Sequence, residues 1–278
     1  MIIIALIVLF VLFFILYYSF LSANPWSNSM TKDKILSFIP EKFALKIKII
    51  NSKTNLSLLQ YPLIFKPVIC NGNGKGVQKI ENEHEAKMYM KKTTEEFIIA
   101  QEYYPGTYEV GVLYERYPFS KNGKIISIVS KTTDKDWKPL RCNSCSFKKG
   151  VDCKILNTTP ALEKRIDEIS KLIPNFYVGR YDIRFDSLDD FEKGENFKIL
   201  EINGVMGFDL RTSIDSNASM FTTVENLLYW VGRRVIIGFE NILMLNGGNV
   251  FDALNFISKL QTYEKCCDYE HLFQPSST

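Results

Sequence analysis

The fold is decided by residues 179–204, which read GRYDIRFDSLDDFEKGENFKILEING. Two strand-like runs, 177–185 and 197–202, lie on either side of a polar link that is rich in turn residues. Apolar side chains alternate with polar ones along both runs, as in strands with one buried face. The pattern therefore predicts an antiparallel pair of strands.

Pairing of the two runs would bring three oxygen donors together. Glu201 and Asn203 point the same way, because side chains alternate faces along a strand. If the two runs pair, Asp182 joins them, and such hard oxygen donors suit Mg²⁺ rather than zinc. Arg180 shares the face of Asp182 and can hold a phosphoryl or carboxylate oxygen through two N–H groups. An ordinary hairpin with a solvated acidic edge stays open as the alternative.

Composition sets the broad class. Of the 278 residues, 46% are hydrophobic and 23% are charged, which is typical of a folding chain. The net charge of +3, without a basic stripe that contains aromatic residues, argues against a nucleic-acid partner. Six cysteines are too few for a disulfide scaffold of this length.

The N-terminus is apolar throughout residues 2–18, and no charged side chain precedes Lys32. Roughly 20 such residues span a bilayer as a helix, so we predict a transmembrane anchor over residues 1–23. A cleaved signal peptide is the rival interpretation, although the basic n-region is absent and Ser22-Ala23 is a weak cleavage site. The lysines that follow the anchor place the remaining chain in the cytosol as a single-pass membrane protein.

A short apolar strand containing Lys66 precedes the loop CNGNGKGV at 70–77. Glycines permit close approach of the backbone to a ligand, and successive N–H groups form a nest for anions. The loop matches neither the P-loop nor GxGxxG, so a plain turn remains possible. Next come the strand 97–102, a turn, and a strand that begins near Glu109.

The later part of the chain alternates irregular and helical segments. Cys142, Cys145 and Cys153 leave open either a zinc site without a local fourth ligand or free thiols. Thr159-Pro160 predicts a helix start. We expect a long buried helix over 219–245, followed by a C-terminal amphipathic helix and tail.

The order of these motifs resembles the ATP-grasp superfamily, which includes D-alanine–D-alanine ligase and glutathione synthetase. The resemblance covers about residues 60 to 240 and looks closest to poorly characterised members of that superfamily. It is carried by QEYYPGTYEVGV, TPALEKRIDEIS and GRYDIRFDS…FKILEINGV. It implies two α+β lobes with antiparallel sheets that grip ATP, in a domain over 60–245. This domain would stand behind the anchor and a linker at 24–59, with the C-terminal helix and tail at 246–278.

The resemblance also implies roles for single residues. Arg180 and Lys66 would be catalytic, with Lys66 also on the ATP phosphates, and Mg²⁺ (or Mn²⁺) would bind Asp182, Glu201 and Asn203. The other nucleotide contacts would be Gly72, Gly74 and Gly76 on the phosphates, Gln101, Glu102 and Tyr104 at the adenine, Glu109 at the ribose, and Lys131 as a second phosphate lysine.

The implied reaction is an ATP-dependent ligation of a carboxylate, from a small molecule or a peptide, to an amine or thiol. An acyl-phosphate is its intermediate. A kinase acting on a hydroxyl and a non-catalytic nucleotide-binding membrane protein are the alternatives. The chain departs from the family at 204–207, where Gly-Val-Met-Gly replaces the usual proline turn at the acceptor. It also lacks room for the separate N-terminal domain of many such ligases, so a partner protein or a homodimer could complete the substrate site.

Overall fold

The computed structural model describes residues 13, 15–17, 19–20, 22–23, 31–68, 76–131, 154–205, 207, 209 and 220–245. Most of the predicted anchor, Gly72 and Gly74, the three cysteines 142, 145 and 153, and the C-terminal segment 246–278 lie outside these residues. No helix in the described ranges is long and apolar enough to cross a membrane.

Nine strands and five helices form the described fold, along with one 3₁₀ turn at Leu56–Leu58. The strands are β1 Ile47–Ile50, β2 Leu63–Pro67, β3 Gln78–Ile80, β4 Ile98–Glu102, β5 Tyr108–Glu115, β6 Lys124–Lys131, β7 Ile155–Leu156, β8 Val178–Phe185 and β9 Phe197–Asn203. The helices are α1 Lys32–Leu36, α2 Glu83–Lys92, α3 Pro160–Leu172, α4 Leu188–Glu192 and α5 Met220–Leu245.

The strands form two antiparallel sheets. The small sheet has the order β1-β4-β2-β3, and the large sheet has the order β7-β6-β5-β8-β9. Because β1 pairs with β4 along its whole length, the small sheet already includes Ile47–Ile50, within the predicted linker. The boundary at residue 60 stays a prediction.

The core of the small lobe lies between its sheet and α2. Phe65 and Ile98 are fully buried there, and the ring of Tyr89 meets that of Phe65 edge to face at 5.4 Å. Asn82 caps α2 by accepting a hydrogen bond from the Glu85 backbone N–H, while the Glu85 carboxylate accepts one from the Glu81 N–H. Such reciprocal capping fixes the start of a helix.

The core of the large lobe lies between its sheet and α3. The predicted helix start is confirmed, since Thr159 accepts a hydrogen bond from the Leu162 N–H and Pro160 occupies the first turn. The apolar side chains at helical spacing are almost fully buried. Apolar positions three and four residues apart share one helix face, and this face packs on the sheet.

Two predictions for the large lobe need correction. The link between β8 and β9 contains the short helix α4, whose Phe191 stacks on Phe185 with ring centroids 4.1 Å apart. The predicted buried helix is present as α5, but only one of its faces is buried. Leu228 is 66% exposed and Phe221 is 80% exposed, because polar and apolar residues occur on both faces of this helix.

Gly179 shows how tightly β8 packs beside β9. A Cβ atom at this position would lie 2.7 Å from the Asn203 carbonyl oxygen and 2.6 Å from the Phe176 ring.

We therefore expect Gly179→Ala to lower the free energy of unfolding by about 2 kcal/mol through overpacking, measured by urea denaturation. Gly232→Ala is the matched control, because no described atom lies within 4 Å of its added methyl. The control should stabilise α5 by about 0.5–1 kcal/mol. Equal stabilities would contradict the packing described at Gly179.

Candidate active site

The carboxylates of Asp182 and Glu201 lie on neighbouring strands. The register places Asp182 opposite Glu201 and Arg180 opposite Asn203. The Arg180 Nε donates to Asp182 Oδ1 at 3.1 Å, and the Asn203 Nδ2 lies 3.4 Å from the other Asp182 oxygen. The negative charge of Asp182 raises the pKa of Arg180 above its ordinary value. The two strands therefore bring together the four side chains singled out in this stretch of sequence.

A β-bulge lies within this pair of strands. Asp182 is opposite Glu201, but the next residue of β8, Ile183, is opposite Ile199. Leu200 is therefore the extra residue of β9, and such a residue is left out of the regular ladder. Its carbonyl oxygen accepts hydrogen bonds from the small lobe instead, from Lys66 Nζ at 3.3 Å and Gln101 Nε2 at 3.1 Å.

Lys66 is held at the junction between the two lobes. Its side chain is 4% exposed, and its ammonium donates to Gln101 Oε1 at 2.9 Å as well as to Leu200. A buried ammonium needs such polar partners, since its desolvation is otherwise costly. Lys66 therefore contacts β9 at Leu200, the residue before Glu201, at the place where the two sheets meet. Gln101, predicted at the adenine, instead has its side chain hydrogen-bonded to Lys66.

Glu109 forms a buried ion pair that the sequence reasoning missed. Arg184 Nε lies 2.8 Å from Glu109 Oε2, and both side chains are about 95% buried. The Arg184 Nη1 also donates to the Tyr104 carbonyl oxygen at 3.2 Å. The alternation of Arg180, Asp182 and Arg184 along β8 was the available signal, because it places all three on one face.

The chain segment between β4 and β5 is fixed to the end of β8. The Tyr104 hydroxyl donates to Asp186 Oδ2 at 2.9 Å, and the Thr107 backbone N–H donates to the other Asp186 oxygen at 3.0 Å. The Thr107 N–H, together with the Tyr104 hydroxyl, lowers the pKa of Asp186. The Tyr104 ring is thus tied down beside the buried pair of Glu109 and Arg184.

The other described residues that were predicted to contact the nucleotide are Glu102, Lys131 and Gly76. Glu102 is exposed, and one of its oxygens accepts a hydrogen bond from the Lys46 backbone N–H at 3.2 Å. Lys131 ends β6 opposite Glu109, but its side chain is outside the described part. Gly76 has a φ of +78° and its carbonyl oxygen accepts from the Tyr89 hydroxyl, so α2 holds this end of the glycine loop.

The turn after Asn203 is held by two residues of α5. Arg234 donates to the carbonyl oxygens of Val205 and Gly207, both at 2.9 Å. The Trp230 indole N–H also points at the Gly207 oxygen, 3.3 Å away. A Cβ atom on Gly207 would lie 3.0 Å from the Arg180 backbone nitrogen, so this turn packs directly on the site.

Arg234 is fully buried, and desolvation lowers its pKa to about 10. Its guanidinium stacks over the Trp230 ring at 4.0 Å and lies 3.5 Å from a Glu115 oxygen. In the sequence, Arg233 and Arg234 only interrupt the apolar run of this helix. In the structure, Arg234 is the donor that holds the turn after Asn203 through two backbone carbonyls.

Comparisons with known proteins support the fold. The chain matches no protein-family model. It is 27% identical over 219 residues to the D-alanine–D-alanine ligase of Petrotoga mobilis, a match that covers 74% of this chain and 69% of that enzyme. The solved structure of the D-alanine–D-alanine ligase from Coxiella burnetii is similar with a TM-score of 0.50 at 14% identity, over 80% of this chain and 61% of that chain.

A third protein, the L-amino acid ligase from Bacillus licheniformis, has a TM-score of 0.46 at 19% identity over 65% of this chain. This chain spans only 41% of the length of that ligase. At such identities a solved structure shows the fold alone. The likeness to the Coxiella structure confirms the predicted α+β fold with antiparallel sheets.

The buried pair of Glu109 and Arg184 gives a test of the geometry. Arg184→Met should lower the free energy of unfolding by about 3 kcal/mol, because it leaves the Glu109 charge buried without its partner. Glu109→Leu/Arg184→Met should regain most of that loss, since two apolar side chains of similar size replace the pair. Urea denaturation of the wild type, both single variants and the double variant gives the coupling energy. Additive effects of the two substitutions would contradict the pairing.

Proposed function

We propose that the chain is an ADP-forming ligase of the ATP-grasp type, and that it joins a carboxylate to an amine or a thiol. The reaction would use ATP and Mg²⁺ and pass through an acyl-phosphate. The observation that carries the proposal is the meeting of Lys66 with the strand of Glu201 at the Leu200 carbonyl. A lysine that would bind phosphate is thereby held next to the residue that precedes Glu201, one of the oxygen donors that would bind the metal.

The residues fit a magnesium ion. Asp182 and Glu201 would supply two carboxylates from opposite positions, and the amide oxygen of Asn203 would be the third donor. Oxygen donors of this kind suit Mg²⁺, and Mn²⁺ accepts the same set. In the described part of the chain, histidine, cysteine and acidic residues form no cluster of three or more. A site of two carboxylates and one amide leaves coordination positions for phosphate oxygens. When bound, the ion would neutralise the charge that builds up on those oxygens.

The protein groups would do the rest by positioning and charge. A carboxylate is a poor electrophile, and transfer of the γ-phosphoryl group makes it an acyl-phosphate that an amine or thiol can attack. Phosphoryl transfer requires alignment and neutralisation of charge more than covalent help from the protein. Lys66 would hold the phosphates from the small lobe, and Arg180 would stabilise the oxyanion of the tetrahedral intermediate. Arg180 is kept charged by Asp182 for this role.

The nucleotide would lie along the junction, with its ribose end at Glu109. The Glu109 carboxylate is paired with Arg184, which orients it and also donates a hydrogen bond to the Tyr104 carbonyl. The adenine would meet Glu102, Tyr104 and neighbouring backbone groups. Its phosphates would lie under the glycine loop and near Lys131. Gln101 would act indirectly in this scheme, by holding Lys66 through its amide oxygen.

Membrane attachment is a further part of the proposal. It is supported by the uncharged apolar run at residues 2–18 and by the exposed side chains of Phe13, Leu16 and Tyr17. The end of this segment packs on α5, where the Asn241 amide donates to the Ser22 carbonyl oxygen at 2.8 Å. The catalytic domain would then lie on the cytosolic face, with carboxylate and amine substrates from solution, from a partner protein or from a second copy.

We expect Lys66→Met and Glu201→Gln each to lower the rate of ADP release by about 100-fold or more, because each removes a group positioned at the transferring phosphoryl. The measurement is ADP release from the full chain in detergent, screened against pooled carboxylates and amines. Lys48→Met and Glu195→Gln are matched controls, as both side chains are exposed in the same sheet and the same hairpin respectively.

The products of this screen separate the alternatives. A ligase releases ADP only when both substrates are present, whereas a kinase forms a phosphorylated acceptor. If calorimetry detects no binding of Mg-ATP by the wild type, the chain is not a ligase. If Lys66→Met and Glu201→Gln keep the rate of their controls, the assigned site is wrong.

For the membrane proposal we expect the chain to sediment with membranes and to resist extraction by carbonate. In intact vesicles that keep the cytosolic face outward, added protease should degrade the domain, because the lysines that follow the apolar run favour that side. Protection of the domain in such vesicles would overturn the orientation. Extraction by carbonate would overturn the anchor itself.

A further inference from the structure

Lys32 reaches the proposed metal site from a part of the chain far from it in sequence. It is the first residue of α1, and its Nζ lies 2.8 Å from Glu201 Oε1. The side chains of Lys32 and Glu201 are 17% and 26% exposed, so the pair lies at the edge of the site rather than in free solvent. Nothing in the motifs of the sequence assigned Lys32 a role at this site.

The position of Lys32 is fixed by the packing of the residues that follow it. Ile35 and Leu36 of α1 are about 95% buried in the core of the large lobe. Phe43 then stacks on Phe197 with ring centroids 4.6 Å apart, and its carbonyl oxygen accepts from the Ile199 N–H at 2.8 Å. The segment before the small sheet is therefore attached along β9, and it delivers an ammonium to the end of that strand.

Each carboxylate of the site thus has its own counter-ion. Asp182 is paired with Arg180, two residues away in the same strand, while Glu201 is paired with Lys32. An oxygen that donates its lone pairs to a metal ion loses much of its attraction for an ammonium group, and the two cations repel each other. Binding of a divalent ion at Glu201 must therefore displace Lys32 or weaken its ion pair.

A displaced lysine beside a metal ion is favourable only next to an anion. The reaction proposed above brings such anions to this end of the site, namely the γ-phosphate oxygens of ATP and the carboxylate to be activated. Lys32 is long and partly exposed, so its ammonium can move by a few ångströms without disturbing α1.

We propose that Lys32 is an exchangeable counter-ion of the active site, which neutralises Glu201 before the metal arrives and then binds an anionic oxygen of the γ-phosphate or of the carboxylate substrate. This inference rests on the proposed function. It predicts that replacing Lys32 strengthens metal binding without nucleotide and weakens metal binding with nucleotide. A residue with only a structural role would not produce such a reversal.

The test is a titration of the full chain in detergent with Mn²⁺, followed by electron paramagnetic resonance of the free ion. Without nucleotide, Lys32→Met should bind Mn²⁺ about threefold to fivefold more tightly than the wild type, because a competing partly exposed ion pair is removed. With a non-hydrolysable ATP analogue and the pooled carboxylates both present, the order should reverse, and Lys32→Met should bind the metal–nucleotide complex more weakly than the wild type. Lys32→Arg should bind the metal about as tightly as the wild type in both states.

Lys34→Met is the matched control, since it removes the same charge from an exposed position of the same helix. Repeating the titration with ADP separates the two anions. If Lys32 binds the γ-phosphate, the reversal disappears when ADP replaces the ATP analogue. If Lys32 binds the carboxylate, the reversal is seen with ADP as well, but only when the pooled carboxylates are added. An effect of Lys32→Met equal to that of Lys34→Met in every state overturns the inference while leaving the proposed function intact. Absence of Mn²⁺ and nucleotide binding in the wild type overturns both.

Discussion

The contact between Lys66 and the Leu200 carbonyl is the interaction on which the geometry of the site depends. It joins β2 of the small sheet to β9 of the large sheet, with Gln101 as a second donor to the same oxygen. That oxygen is available because Leu200 is the bulged residue of β9. Since Glu201 is the next residue, the bulge sets both the position of the buried ammonium and that of the carboxylate.

Local pattern was enough to predict much of this arrangement. The alternation in β8 and β9 placed Arg180, Asp182, Glu201 and Asn203 together, because a two-residue period fixes the faces once two strands pair. The helix start at Thr159 followed from capping and from a proline whose missing N–H has no cost there. Helix α4 escaped prediction, since a five-residue helix in a polar link has too few apolar positions to show a period.

The residues that sequence reasoning missed all act across long distances in the chain. Arg184 and Glu109 are 75 residues apart in the chain, and Lys32 and Glu201 are 169 residues apart. Arg234 was interpreted only as a charge that breaks an apolar run. Its role arises from the carbonyl groups of the turn it faces, 27 and 29 residues earlier. Alternation along a strand shows which face a charged residue occupies, but its partner is known only after the tertiary fold is known.

Three cations around the site, Arg234, Arg180 and Lys32, differ in how freely their side chains can move. Arg234 is fully buried with two backbone carbonyls to hold, so it can only support the turn beside the acceptor. Arg180 is tied to Asp182 in its own strand and stays near the reacting groups. Lys32 is as exposed as Arg180, at 17%, but its partner Glu201 is 26% exposed whereas Asp182 is 13% exposed. If the site exchanges a protein cation for a metal ion, Glu201 is where the exchange costs least, because the ion pair there is the most solvated.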